Sequence, residues 1–215
     1  MLVLSVSLTA LSSFYISKSV GQFIAPILFF SLVLPQVVGR SFIQNFVTIS
    51  IMSASVVSTW LWGANGGWVT WTEVIGCSAV LITWLLAVTG MTRALRLIFD
   101  RTFANTVITA VAIAWLTWPV WLSTALPGRL EMVGWLVWAH PLFSINSAVL
   151  ELGAWSVEPL AYHLTNLGQD VSYQMPETIW PAILLNIMFA SLHLIPRAKE
   201  HAPAVLATDF SNLPA

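Results

Sequence analysis

Residues able to carry chemistry are few in this chain and widely spaced. Its four histidines are His140, His163, His193 and His201. No two of them have the i, i+3 or i+4 spacing that places metal ligands on one face of a helix. Cys77 is the only cysteine, which excludes a disulfide and a cysteine-based zinc site. The sequence therefore predicts no metal, no haem and no other cofactor.

Short catalytic motifs are also missing from the sequence. The two lysines, Lys18 and Lys199, do not follow a glycine, so no P-loop is present to bind the phosphates of ATP. No G-x-S-x-G, H-E-x-x-H or G-x-G-x-x-G segment occurs. An intramembrane enzyme is disfavoured as well, because no paired catalytic groups are expected at one depth. The sequence therefore predicts a protein that is not an enzyme.

The composition explains this scarcity, since it is typical of an integral membrane protein. Of 215 residues, 58% are apolar and 8% are charged, whereas soluble domains carry roughly 25% charged residues. The mean hydropathy is +0.83 and the net charge is −1. A nucleic acid is excluded as a partner, because binding it requires clustered Lys and Arg. We expect an all-α, polytopic helix bundle whose solvent is the lipid bilayer.

Apolar runs long enough to cross a bilayer predict where the membrane helices lie. The six predicted spans are Leu2–Ser17, Gln22–Val38, Phe42–Trp62, Trp68–Gly90, Phe103–Leu126 and Thr178–Pro196. They form one transmembrane helical domain over residues 1–196. The polar remainder, residues 197–215, contains two prolines and is predicted to be a disordered cytoplasmic tail.

A further apolar run, Leu130–Leu150, is predicted to enter the membrane from the outer face and return to it. A crossing would leave equal numbers of Lys and Arg on the two sides, whereas a return places most of them inside, as the positive-inside rule requires. The segment and its outer loop then occupy residues 127–177, as a helical pair between the fifth and sixth spans. Both termini are predicted to be cytoplasmic in a multi-pass protein of a bacterial inner membrane.

The pair His140–Pro141 is predicted to break this re-entrant segment, because a residue before proline disfavours the α region. Together with Asn146, these residues are candidates for an outer gate or substrate path, and an interfacial lid is the alternative. Glu73 is the acid predicted to lie inside a span. A carboxylate there has either a proton or cation role, or it is hydrated at the interface.

This arrangement of six spans, cytoplasmic termini and a re-entrant hairpin before the last span resembles the membrane domain of ABC-2-type permeases. The resemblance covers residues 2–196 and rests on the broken stretch Trp135–Leu150, the outer loop to Glu177 and the basic loop Arg93–Arg101. It implies a permease subunit of a homo- or heterodimer that uses an ATPase in a separate chain. The residues expected to contact that ATPase are Arg40, Arg93, Arg96 and Arg101.

The alternative class is a non-catalytic membrane scaffold or accessory subunit of a larger membrane complex. The third predicted span, Phe42–Trp62, is rich in serine, and tryptophans cluster toward the outer side of the predicted bundle. Small residues favour close helix packing in lipid, and tryptophan rings favour the headgroup level. In a scaffold both features would serve assembly alone.

Overall fold

The computed structural model describes residues 21–37, 42–63, 70–122, 125–126, 129–148, 174 and 176–195, and this part of the chain contains helices and no strand. The all-α prediction is confirmed there. The predicted first span, the loop 149–173 and the tail 197–215 lie outside the described residues. The helices are α1 (Gly21–Val37), α2 (Phe42–Gly63), α3 (Trp71–Leu95), α4 (Arg101–Leu116), α5 (Trp118–Trp121), α6 (Leu130–Ala139), α7 (Pro141–Ala148) and α8 (Trp180–Ala190), followed by a 3-10 turn at Ser191–Leu194.

The central helix of the fold is α3, which packs against α1, α2, α4, α7, α8 and the 3-10 turn. One face is fully buried along its length, from Cys77 through Val80 to Val88. Within the described ranges, α3 is the one helix that is both long enough and apolar enough to cross a membrane, with 25 residues and a hydropathy of 2.1. The described residues thus contain one candidate membrane span.

The observed bounds of α3 differ from the predicted span Trp68–Gly90, because the helix begins at Trp71 and continues to Leu95. Gly90 does not end it. A Cβ atom at Gly90 would lie 2.6 Å from the carbonyl oxygen of Phe189 in α8. The glycine is therefore required for close approach of two helix backbones, which is the use of small residues in membrane bundles.

A line of small residues on α3 faces the last two helices. Gly76, Thr83 and Gly90 follow one another at intervals of seven residues. A Cβ atom at Gly76 would lie 3.3 Å from Cβ of Ala148 in α7, and Oγ1 of Thr83 lies 3.5 Å from Nδ2 of Asn186 in α8. A seven-residue repeat keeps one helix face on its neighbour. This line, the α3 seam, lets α7 and α8 pack closely on α3.

The fifth predicted span, Phe103–Leu126, is shorter in the structure and interrupted. α4 begins after Asp100, whose carboxylate accepts a hydrogen bond from the backbone N–H of Phe103 at 3.0 Å, and it ends at Leu116. The short helix α5 follows after Thr117. Pro119 explains the interruption, because its ring nitrogen has no hydrogen to donate to the carbonyl four residues earlier.

Large apolar side chains cover the outward faces of α2, α4 and α8. Ile43 of α2 is 72% exposed and Leu184 of α8 is 63% exposed. The others on these helices include Phe42, Phe46, Val47, Phe103, Val111, Ile187 and Met188. Contiguous apolar surface on a protein marks a site of contact with another protein, a ligand or a membrane.

Candidate functional site

Helices α6 and α7 are separated by a single non-helical residue, His140. Its backbone is extended, with φ −87° and ψ 128°, and Pro141 begins α7. The N–H of His140 donates to the carbonyl of Val137 at 3.3 Å, which tightens the last turn of α6. The predicted break at His140–Pro141 is confirmed, and its cause is the restriction that a proline places on the residue before it.

The imidazole of His140 is fully buried and bonded to the backbone of α4. Its Nε2 lies 3.1 Å from the carbonyl oxygen of Trp115. In an unbroken helix that carbonyl would accept from the residue four positions later, which is Pro119 and has no N–H. The histidine therefore supplies the hydrogen bond that the proline cannot.

Three aromatic rings surround the His140 imidazole. The ring centroid of Trp115 lies 5.8 Å away, that of Trp118 6.2 Å and that of Phe143 5.2 Å. Trp118 and Phe143 are themselves buried and lie 6.1 Å apart. This group, the His140 cluster, connects the end of α4, the start of α5 and the first turn of α7.

The first five residues of α7, Pro141–Ile145, are all buried. α7 packs against α3, α6 and α8. The first turn of α7 is therefore enclosed by these helices, whereas α6 keeps an exposed face that includes Trp135. Asn146, the third candidate of this segment, belongs to α7, and its side chain is outside the described part of the structure.

Glu73 lies in the first turn of α3 and takes part in a capping box with Thr70. Its Oε2 accepts from the backbone N–H of Thr70 at 2.6 Å and from the Thr70 hydroxyl at 2.8 Å. The Thr70 Oγ1 in turn accepts from the N–H of Glu73 at 3.3 Å. The T-x-x-E pattern of residues 70–73 is a sequence signal for this motif. Glu73 is thus placed at a helix end, where its carboxylate accepts from the backbone N–H and the hydroxyl of Thr70.

A cleft of about 290 Å³ brings Glu73 close to the end of α7. It lies between the start of α3, the last turn of α7 and the approach to α8. Its lining residues include Thr72, Glu73, Gly76, Ser147, Glu177 and Trp180. Two candidate regions that are far apart in the sequence, Glu73 and the end of α7, therefore line one cleft.

Arg96 is held at the other end of α3 by a hydrogen-bond network. Its Nε and Nη2 donate to Oδ1 of Asn105 at 3.0 and 2.7 Å, and Nη2 also donates to the carbonyl of Pro35 at 2.6 Å. Nδ2 of Asn105 donates to Oε1 of Gln36 at 3.1 Å. The network joins α1, α3 and α4, and sequence analysis identified neither Asn105 nor Gln36.

The remaining predicted contact arginines have different surroundings. Nη2 of Arg101 donates to the carbonyl of Gln36 at 3.2 Å. Arg96 and Arg101 thus bind carbonyls in the last turn of α1, where a cation is favoured by the helix dipole. Arg93 lies in the last turn of α3 and is partly buried. Arg40 lies outside the described residues.

Within the described ranges, no three His, Cys, Asp or Glu side chains come together as a metal site. No protein-family model matches the chain, and neither a curated protein nor a solved structure is significantly similar to it. Its function is therefore to be inferred from the geometry of its own residues.

Proposed function

We propose that the chain is an integral membrane permease subunit, similar in arrangement to the ABC-2-type permeases, that works with an ATPase in another chain. The observation that supports this proposal is the α6–α7 pair, with its break at His140 buried against Trp115 and Trp118. Non-helical backbone at membrane depth is tolerated where protein or a water-filled cavity covers it. Discontinuous helices of this kind form binding sites and gates in transporters.

In the proposed topology, α1, α2, α3, α4 and α8 are the second to sixth of six spans. The α6–α7 pair enters from the outer face of a bacterial inner membrane and returns to it, and both termini are cytoplasmic. The apolar exteriors of α2, α4 and α8 support this arrangement. A reporter fused near Gln169 is expected outside and one after Lys199 inside. A cytoplasmic signal from the Gln169 fusion would contradict the topology.

The proposed ATPase contact lies at the α3–α4 turn and also includes Arg40, which is outside the described residues. Arg101 is exposed there, whereas Arg96 is engaged within the chain and acts by fixing the shape of the turn. We expect a nucleotide-binding chain to co-purify in mild detergent, and Arg101→Glu to reduce its recovery. Phe103→Ala, on the same exposed surface, is the uncharged control. Preparations from the native membrane that contain no nucleotide-binding chain would argue against the proposal.

A second candidate is a non-catalytic scaffold or accessory subunit of a larger membrane complex. It is favoured by the local roles of Glu73 and Arg96, since both side chains bind groups of their own chain. The genes adjacent to this one distinguish the two candidates. A neighbouring ATPase gene supports the permease, and a respiratory or secretion cluster supports the scaffold.

A further inference from the structure

Three polar atoms in the His140 cluster and its first turn have no hydrogen-bond partner in the described part of the chain. They are Nδ1 of His140, Nε1 of Trp118 and Oγ of Ser144. His140 and Ser144 are 0% exposed and Trp118 is 1% exposed. A buried polar atom left without a partner destabilises a fold, so native structures nearly always satisfy it. Three such atoms in residues that are neighbours in space indicate that they share one hydrogen-bond partner.

The three groups are adjacent. The rings of Trp118 and His140 are 6.2 Å apart and nearly perpendicular, at 83°. Ser144 lies one helical turn after His140, and its N–H donates to the His140 carbonyl at 3.1 Å. Two atoms bridged by one water lie roughly 5 Å apart, because each hydrogen bond spans about 2.8 Å. The rings of Trp118 and His140 are in direct aromatic contact, and Ser144 lies within one turn of His140, so the three residues border one small region.

Their donor and acceptor roles are complementary. A carbonyl oxygen only accepts, so the proton of the neutral His140 ring is on Nε2, which faces the Trp115 carbonyl. Nδ1 is then an acceptor. Nε1 of Trp118 is a donor, and the Ser144 hydroxyl both donates and accepts. The three groups thus offer one acceptor, one donor and one group that does both, and they make no hydrogen bonds among themselves, so a single water molecule can serve all three.

We infer that the helix break holds one internal water molecule, bound by His140, Trp118 and Ser144. The water accepts from Nε1 of Trp118, donates to Nδ1 of His140 and completes its shell with Oγ of Ser144. Three partners are typical for a buried water. This hydration site goes beyond the proposed permease function and does not depend on it, since it requires the break alone.

Trp84 is a buried tryptophan whose indole N–H has a hydrogen-bond partner within the protein. It is 4% exposed, and its Nε1 donates to Oγ of Ser31 at 3.1 Å. It is therefore a matched control for Trp118. Hydroxyl-radical labelling by a synchrotron beam marks side chains next to bound water even when they are buried. In the full chain in detergent we expect Trp118 to be labelled several-fold more than Trp84. Equal labelling of the two would overturn the inference.

Ser144→Ala provides a second test by the sign of its effect. If Ser144 binds the water, the variant lowers the melting temperature and reduces labelling of Trp118. If the cluster is dry, removing an unsatisfied hydroxyl raises the melting temperature or leaves it unchanged, which would overturn the inference. Ser53→Ala is the control, because its buried Oγ also lacks a partner but does not belong to this cluster. That variant is expected not to lower the melting temperature.

Discussion

The carbonyl oxygen of Trp115 accepts a hydrogen bond from Nε2 of His140 at 3.1 Å, across 25 positions of sequence. Each partner owes its position to a proline. Pro119 leaves the Trp115 carbonyl without its helical donor, and Pro141 turns His140 out of the helix. The His140 side chain, placed by one helix break, therefore satisfies the carbonyl that the other break leaves without a donor. The two breaks are linked by this hydrogen bond.

His140→Phe tests this link. The variant retains an aromatic ring but removes the Nε2 donor of the part-buried hydrogen bond to the Trp115 carbonyl. Leaving such a group unsatisfied costs about 1–3 kcal/mol, and we expect a loss of that size in the free energy of unfolding measured by denaturation in detergent. Trp135→Phe, at a position 71% exposed, is the control and should have little effect. Equal stability of the His140 variant and the parent protein would contradict the prediction.

Pro141→Ala is expected to straighten the α6–α7 pair. The new N–H can donate to the carbonyl of Val137, which restores the helical pattern across the break. Spin labels at Glu131 and Ser147 would then move toward the separation of a straight helix, about 24 Å. Under the permease proposal this change alters transport and leaves membrane insertion intact, whereas a scaffold would lose assembly. An unchanged label distance would show that the proline does not maintain the bend.

Gly90→Ala is predicted to destabilise the fold by about 1–3 kcal/mol, because overpacking shifts backbone against backbone. The added methyl carbon would meet the Phe189 carbonyl oxygen at 2.6 Å. Gly134→Ala is the matched control in α6, since no atom lies within 4 Å of its Cβ position. Thermal unfolding should separate the two variants clearly. Similar melting temperatures would contradict the close approach of α3 and α8.

Arg96 and Asn105 are predicted to be energetically coupled. Residues that share a hydrogen-bond network show coupling energies of about 0.5–3 kcal/mol in double-mutant cycles. Arg96→Ala, Asn105→Ala and the double variant, each unfolded by denaturant, give this value. The pair Asn105 and Trp135 is the control, because Trp135 of α6 is 71% exposed and does not belong to this network. Additive losses at Arg96 and Asn105 would argue against the network.

The two roles of Glu73 are separated by the choice of substitution. Glu73→Gln keeps an oxygen acceptor for the Thr70 N–H, while Glu73→Ala removes it and should cost about 1 kcal/mol of stability. We expect the Gln variant to be nearly as stable as the parent in a thermal melt. A proton or cation role instead predicts that Gln and Ala impair function equally, with no relation to stability.

The broken pair was predictable because its cause is local. His140–Pro141 carries the break in its covalent structure, and no distant partner is needed to foresee it. The start of α3 was equally readable from Thr70 and Glu73, although the apolar run placed it three residues earlier. Such signals depend on neighbours within one helical turn.

The rest depended on contacts between distant segments. Gly90 resembles a helix end in an apolar run, and the carbonyl of Phe189 explains why a glycine is found inside the helix instead. The bonds from Arg96 to Pro35 and Asn105 likewise require that three helix ends meet. No spacing in the sequence reveals which side chain will face a given carbonyl.

The α3 seam, together with Thr89 beside it, has a consequence for biogenesis. α3 emerges from the ribosome about a hundred residues before Asn186 and His193, its polar partners from the end of the chain. During that interval the hydroxyls of Thr83 and Thr89 are satisfied by their own helix, through the carbonyls of Ala79 at 2.8 Å and Leu86 at 2.9 Å. Each hydroxyl oxygen can still accept a hydrogen bond from a residue made later in synthesis. Oγ1 of Thr89 lies 2.8 Å from Nε2 of His193. Before α8 is made, α3 therefore has no unsatisfied hydroxyl donor at Thr83 or Thr89, and both hydroxyls can still accept hydrogen bonds from the end of the chain.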